Sequence, residues 1–500
     1  MLFNSARFLI FFPVVSLIYF VIPHKVRYLW LLVCSYYFYM CWNPAYSLLL
    51  LFSTMVTYAC ALGLEWVKGR GENGRIAHDL LFRKLLMGMS ITANLGILAY
   101  FKYSNFLIDS LNAVLAQWHI AYQAPAVDVL LPVGISFYIF QALGYTVDVY
   151  RGEIHAEKNF FMYALFVSFF PQLVAGPIER SENLLAQFRE KHSFSLTRLR
   201  SGFMLMLWGY FLKLVLADRI AVFVDAVYGA CTMYTGWYLI AATVLFAFQI
   251  YCDFAGYSTI ARGAAEIMGF RLMENFDAPY FACSVSEFWR RWHISLSSWF
   301  RDYLYIPLGG SRKGQARKNL NLLIVFFISG LWHGAEWSFV VWGLLNGLYQ
   351  IAGYAFRPVR DCVVKVLMLD RKTFSHRLYQ TLATFVLIDI SWVFFRADSI
   401  EQALWIFKSM MHASNFHIFF DESIFSLGLD WKNFMLMLLS VLVLMTSDGL
   451  KRRGVCVREV ICQQELWFRW LVMIGAVVFI MVFGVWGSGF SEASFIYFQF

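Results

Sequence analysis

Long polar stretches are missing from this 500-residue chain, as are internal repeats, low-complexity tracts and C-x-x-C pairs. Without a long polar stretch there is no candidate for a separate soluble domain. Without a repeat, a duplicated transporter architecture has no support. Charge is scarce as well: 15% of the residues are Asp, Glu, Lys or Arg, against 60% hydrophobic and 19% aromatic. That is more apolar surface than one soluble core needs, so water is not the only solvent. The nine cysteines, at positions 34, 41, 60, 231, 252, 283, 362, 456 and 462, sit mostly inside apolar runs or in Lys/Arg-rich loops. They predict neither a disulfide framework nor a zinc site, and no metal is expected.

What the chain does have is apolar sequence at membrane-crossing length. Crossing a hydrocarbon layer of roughly 30 Å takes about 20 residues of helix. Strong runs lie near residues 8–22, 28–42, 46–64, 85–106, 129–149, 160–176, 202–218, 237–258, 379–395, 432–447 and 469–486. With further apolar stretches between them, they predict an all-α polytopic membrane protein of roughly ten to twelve transmembrane helices. The first run follows Arg7 but has no small-x-small cleavage pattern, so it is read as a retained helix. The formal charge of +9 is scattered among loops, as the positive-inside rule expects, rather than gathered for nucleic acid. Membrane lipid and phosphate-bearing cosubstrates fit it better. Loops 65–84, 357–377 and 451–469 are rich in Lys and Arg and are assigned to the cytoplasm. Segment 397–431, with Asp398, Glu401, Asp421, Glu422 and Asp430, is assigned to the opposite face, which puts the aromatic tail 490–500 outside.

The most informative stretch is 284–356. Ser284-Val-Ser-Glu287 matches a capping box, so a helix should start there. From Phe288 to Leu308 one face carries Trp289, His293, Leu296, Phe300 and Tyr303, and another carries Arg291, Ser295, Ser298 and Asp302. Flanked by Trp, Tyr and Arg, this stripe predicts one helix lying at the membrane interface. Gly309 to Gly314 breaks it, and Arg312, Lys313, Arg317 and Lys318 place the break on the cytoplasmic side. Basic residues flank both ends of the next apolar segment, which predicts a hairpin with its top near Gly334. Fifteen residues of helix lift His333 roughly 22 Å above Lys318. An imidazole at that depth is a functional candidate by default, although a histidine that merely hydrogen-bonds a neighbouring helix is the bland alternative. Gly330 and Gly334 leave room for a ligand or a neighbouring backbone, and Trp332, Glu336 and Trp337 offer polar handles.

The text Glu287-Phe-Trp-Arg-Arg-Trp-His-Ile-Ser-Leu-Ser-Ser-Trp-Phe-Arg-Asp-Tyr-Leu-Tyr-Ile-Pro-Leu-Gly-Gly-Ser-Arg312, followed by Ser329-Gly-Leu-Trp-His-Gly-Ala335, resembles the membrane-bound O-acyltransferase family. It is most similar to the bacterial branch typified by the membrane subunit that O-acetylates alginate. Phe170 to Arg180 and Tyr251 to Tyr257 extend the resemblance over nearly the whole chain, taken as one transmembrane domain, 1–500. The resemblance implies tilted, interfacial and re-entrant helices around a central tunnel, in a multi-pass protein of the bacterial inner membrane. A cytoplasmic thioester donor, acetyl-CoA or another acyl thioester, would meet an acceptor hydroxyl from outside, with no bound cofactor. His333 matches the family's essential histidine and His293 the second histidine of this branch. A neutral imidazole is suited to removing the acceptor's proton as it attacks the already activated thioester, so His333 is assigned as general base. For His293, a structural role bonding a phosphate or backbone group carries equal weight.

Arg290, Arg291, Arg301, Arg312 and Lys313 are candidate contacts for donor phosphates, or else ordinary positive-inside anchors. The tail Phe495-Ile-Tyr-Phe-Gln-Phe500 reads as an interfacial anchor by composition. In the related teichoic-acid D-alanylation system a similar aromatic terminus belongs to a partner peptide whose tyrosine resembles an acyl relay. By that analogy Tyr497 would take the acyl group and pass it to an extracytoplasmic transferase or esterase-like partner. The acceptor favoured by the resemblance is an alginate-like exopolysaccharide, with peptidoglycan or cellulose as others. Two readings of different class compete: a transporter or flippase using His333 with Asp148, Asp253 and Asp389, and a non-catalytic scaffold of a polysaccharide-modifying complex.

Overall fold

The computed structural model describes residues 1–70, 76–174, 176–486 and 496. The tail expected at 490–500 therefore lies outside the described residues except for Ile496, and so does Tyr497. Among the described residues every regular element is a helix. That follows from the composition, because backbone polar groups in lipid must be satisfied within their own segment.

Among the described residues, six helices are long and apolar enough to cross a membrane. They are Tyr46–Lys68, Asp79–Gln117, Trp237–Met268, Phe374–Arg396, Trp431–Arg452 and Leu466–Phe483, and Trp337–Ala355 with Arg357–Val366, bent by 50°, makes a seventh candidate. The ten to twelve apolar runs of the sequence do not each become one long helix. The first is a helix of 16 residues, Ala6–Val21. The run at 160–176 breaks into Phe160–Ser168 and Phe170–Leu173, because Pro171 cannot continue a helix from the preceding turn. The run at 202–218 is the middle of an unbroken helical stretch, Leu196–Tyr210, Phe211–Ala217 and Asp218–Gly229, whose central part is a π-helix. Leu466–Phe483 shows the membrane signature most plainly. Leu471, Ile474, Val478 and Met481, spaced by three and four, are all more than half exposed. Such a stripe is stable only against lipid.

Within the single domain expected for residues 1–500, the chain forms two compact units. One comprises Met1–Gly202 with Ala261–Met273, the other Phe203–Ile260 with Glu274–Phe500. In the first unit, three buried polar side chains pair across elements: Tyr163 donates to Thr57 Oγ1 at 2.7 Å, Tyr39 to the Val133 carbonyl at 3.0 Å and Gln141 Nε2 to the Phe166 carbonyl at 2.6 Å. Unpaired, each would cost on the order of 1–3 kcal/mol. The second unit holds both histidines singled out above, and its elements are built around close helix approaches described next.

Candidate active site

His333 is the last residue of helix Gly314–His333, the first arm of the hairpin that the basic flanks predict. Gly334 turns to an extended conformation, and after a short turn Glu336 occupies the position before the second arm, Trp337–Ala355. The arms touch at backbone distance. A Cβ on Gly330 would lie 2.3 Å from the Phe339 carbonyl oxygen, and one on Gly343 would lie 2.2 Å from that of Phe326. A Cβ on Gly334 would sit 2.1 Å from the Phe339 ring. The glycines beside His333 therefore make room for the neighbouring arm rather than for a ligand. Glu336 and Trp337 lie exposed at the turn, while Trp332 is buried beside the histidine.

The partner histidine arrives by a different route. Ser284 caps its helix as expected, accepting from the Glu287 N–H at 3.1 Å, while the Glu287 carboxylate accepts from the N–H of Cys283. The helix then stops: Val285–Arg291 and Ile294–Phe300 are separate, and His293 between them is left-handed, with φ 44° and ψ 55°. This corrects the expectation of one interfacial helix from 288 to 308. Asn275 holds the break, its backbone carbonyl accepting from Ile294 N–H at 3.0 Å and its side-chain carbonyl from Ser295 N–H at 3.1 Å. With its own backbone turned, residue 293 leaves the helical stripe. Trp289, His293, Leu296 and Phe300 are all buried, so this is not a helix lying on a surface.

The two imidazoles face one aromatic cluster, with His333 3% and His293 1% exposed. Their ring centroids are 6.5 Å apart. Trp332 and Trp342 each approach His333 edge-on at 4.9 Å, and Phe395 lies 5.5 Å away. Phe254 meets the His293 ring at 4.6 Å. Behind them Trp342 stacks on Trp392 at 5.7 Å, and Trp289 donates its indole N–H to Asn346 at 3.2 Å. Trp342, Trp392, Phe395 and Phe254 escape sequence reading, because an aromatic in an apolar run carries no mark of what it faces. Each neutral imidazole carries a nitrogen able to accept a proton, the chemistry that proton transfer from a hydroxyl requires. No group of three or more His, Cys, Asp or Glu positioned for a metal occurs among the described residues.

The basic candidates divide. Arg291 is engaged by Glu287 at 3.0 Å and Asp277 at 3.2 Å, and Arg301 pairs with its neighbour Asp302 at 2.8 Å. Arg290, Arg312 and Lys313 are exposed. Arg291 thus fastens its helix, whereas Arg301, like the other three, carries its charge at an exposed position.

Fold and site together define a multi-pass α-helical membrane protein with a buried histidine at a hairpin tip beside a second at a helix break. The family model of the membrane-bound O-acyltransferase family matches residues 31–365. The chain belongs to this family and is an O-acyltransferase. It is 38% identical over 413 residues to a probable alginate O-acetylase of Pseudomonas putida, covering 82% of this chain and 80% of that one. To a peptidoglycan O-acetyltransferase of Helicobacter pylori it is 33% identical over 447 residues, with 82% and 80% covered. A teichoic acid D-alanyltransferase of Streptococcus thermophilus is 27% identical over 253 residues, 48% of this chain and 60% of that one.

Proposed function

We propose that this protein moves an acetyl group from a cytoplasmic thioester, acetyl-CoA or another acyl carrier, toward a hydroxyl of an extracytoplasmic polysaccharide, an alginate-like exopolysaccharide before peptidoglycan or cellulose. The observation that carries the reading is the burial of His333 at the hairpin tip, its ring 6.5 Å from that of His293 within one aromatic cluster. The likeness to O-acetylating relatives along four fifths of the chain supports the acyl group and the acceptor class.

In this reading His333 is the general base. It takes the proton of the attacking hydroxyl as the new C–O bond forms, the C–S bond breaks and the thiolate leaves toward the cytoplasm. His293 orients the reacting group or shares the proton. Arg290, Arg312 and Lys313 receive the donor's phosphates, aided by Arg301, while Arg291 supports the helix that carries His293. The first acceptor is Tyr497: its phenol becomes an acyl ester and regains its proton when an extracytoplasmic transferase passes the acyl group to the polysaccharide.

The test is transfer from radiolabelled acetyl-CoA in membranes holding the wild type, His333→Ala or Tyr497→Phe. Label on the wild-type chain and on neither variant is expected. Undiminished label on His333→Ala would sink the assignment of the base, and undiminished label on Tyr497→Phe the relay.

A further inference from the structure

A buried lysine in the second unit lies between two carboxylates. The side chain of Lys213 is 0% exposed, and its Nζ is 2.7 Å from Asp218 Oδ1 and 2.7 Å from Asp253 Oδ1. Two carboxylates around one cation leave acceptor capacity over, and buried acceptors need donors. Asp253 finds one far along the chain: its Oδ2 accepts the backbone N–H of Ile496 at 2.8 Å, and Ile496 is 2% exposed.

The geometry around this contact is prepared by backbone. Lys213 lies in the π-helical stretch Phe211–Ala217, a departure from α-helix that is uncommon outside sites with a local task. Two glycines let this stretch press against helix Trp237–Met268. A Cβ on Gly209 would come 2.7 Å from the Gly256 carbonyl oxygen, and one on Gly256 would come 3.1 Å from the Lys213 nitrogen. The residues at the end of helix Leu466–Phe483 bond to this stretch and to the helix that follows it. The Phe483 carbonyl accepts from Arg219 at 2.7 Å, and the Val485 N–H donates to the Leu214 carbonyl at 2.9 Å.

We propose that Lys213 and Asp253, backed by Asp218, form an internal clasp that holds Ile496 by its backbone N–H. The lysine aims the Asp253 carboxylate at the Ile496 N–H, while the Phe483 and Val485 bonds hold the end of helix Leu466–Phe483 near the same lysine. Asp253 adjoins Phe254, the residue whose ring meets His293. The clasp thus fixes Ile496, the residue before Tyr497, to the turn of helix that also contacts the histidine pair. Lys213, Asp218 and Asp253 are positioning residues. Their value to acyl transfer rests on the reading of the preceding subsection, but the seating itself does not.

Hydrogen–deuterium exchange on the full-length protein in lipid nanodiscs tests the clasp without any substrate. In Asp253→Ala, and in Lys213→Met, amides of the peptide containing residue 496 should exchange about tenfold faster or more, the size that loss of a hydrogen bond to a charged group would give. Peptides of helix Gly314–His333 should keep their wild-type rates. Should single variants fail to fold, Lys213→Met/Asp218→Asn/Asp253→Leu removes the buried charges together, a change that buried ion clusters tolerate better than loss of one partner. Wild-type protection of the 496 peptide in any folded variant overturns the proposal. A released segment with undiminished acyl transfer supports the clasp and counts against the Tyr497 relay.

Discussion

At residue 293 side chain and backbone make separate demands. The imidazole belongs to the histidine pair, while the left-handed backbone ends one helix and starts another. A left-handed conformation costs most residues about 1–2 kcal/mol, less for Asn and most for β-branched side chains. His293→Asn should therefore melt close to wild type and His293→Val clearly below it, both lacking the imidazole. Equal melting temperatures would show that the turn at 293 is not under strain. His333 makes no such double demand, since it is an ordinary helical residue. His333→Gln keeps size and hydrogen-bonding capacity but cannot act as a base. Acyl transfer should fall by about 10²–10⁴-fold, the usual worth of a general base, with unchanged thermal stability. A fall of less than tenfold in initial rates would remove His333 from that role. Both histidines were legible from their motifs. Lys213 had a signal too, a cation inside the apolar run 202–218, but nothing in the text ties it to Asp253 or to Ile496.

Among the elements, the hairpin was readable and the kink was not. Basic residues on both flanks of one apolar segment leave an even number of crossings, so charge alone requires a turn near Gly334. No comparable constraint acts at 293, because the capping box fixes where that helix starts and the regular stripe through Phe300 argues for its continuing. The break depends on Asn275, which is eighteen residues away, and period reading sees only neighbours. The glycines were ambiguous for the same reason, and it is the second arm that decides them. With a Gly343 Cβ placed 2.2 Å from the Phe326 carbonyl, Gly343→Ala forces the arms apart. Overpacking of this kind costs about 1–3 kcal/mol, and it displaces His333 from Trp342. The variant should show a lowered melting temperature in detergent together with weaker acyl transfer. Wild-type values for both would mean that the arms part at no cost.

For the whole molecule, what matters is which loops meet which solution. The number of apolar runs overstated the number of long helices, because several runs are short helices or parts of longer ones. The orientation expected from the sequence rests instead on charge: Lys and Arg would be retained on the cytoplasmic side, and the acidic segment 397–431 would be free of that restraint. The thioester donor enters from the cytoplasm in the proposed reaction, so orientation and mechanism stand together. Cys362 is exposed in the basic helix Arg357–Val366, and Phe420 is 78% exposed in the acidic segment. In intact cells, a membrane-impermeant maleimide followed by peptide mapping should leave Cys362 untouched and label a Phe420→Cys variant. Permeabilised cells should yield both. Labelling of Cys362 in intact cells would turn the molecule over. The exposed cations Arg312 and Lys313, on the same side by the hairpin argument, would then face away from any cytoplasmic thioester, and donor entry from that side would have to be abandoned even with the histidine pair intact.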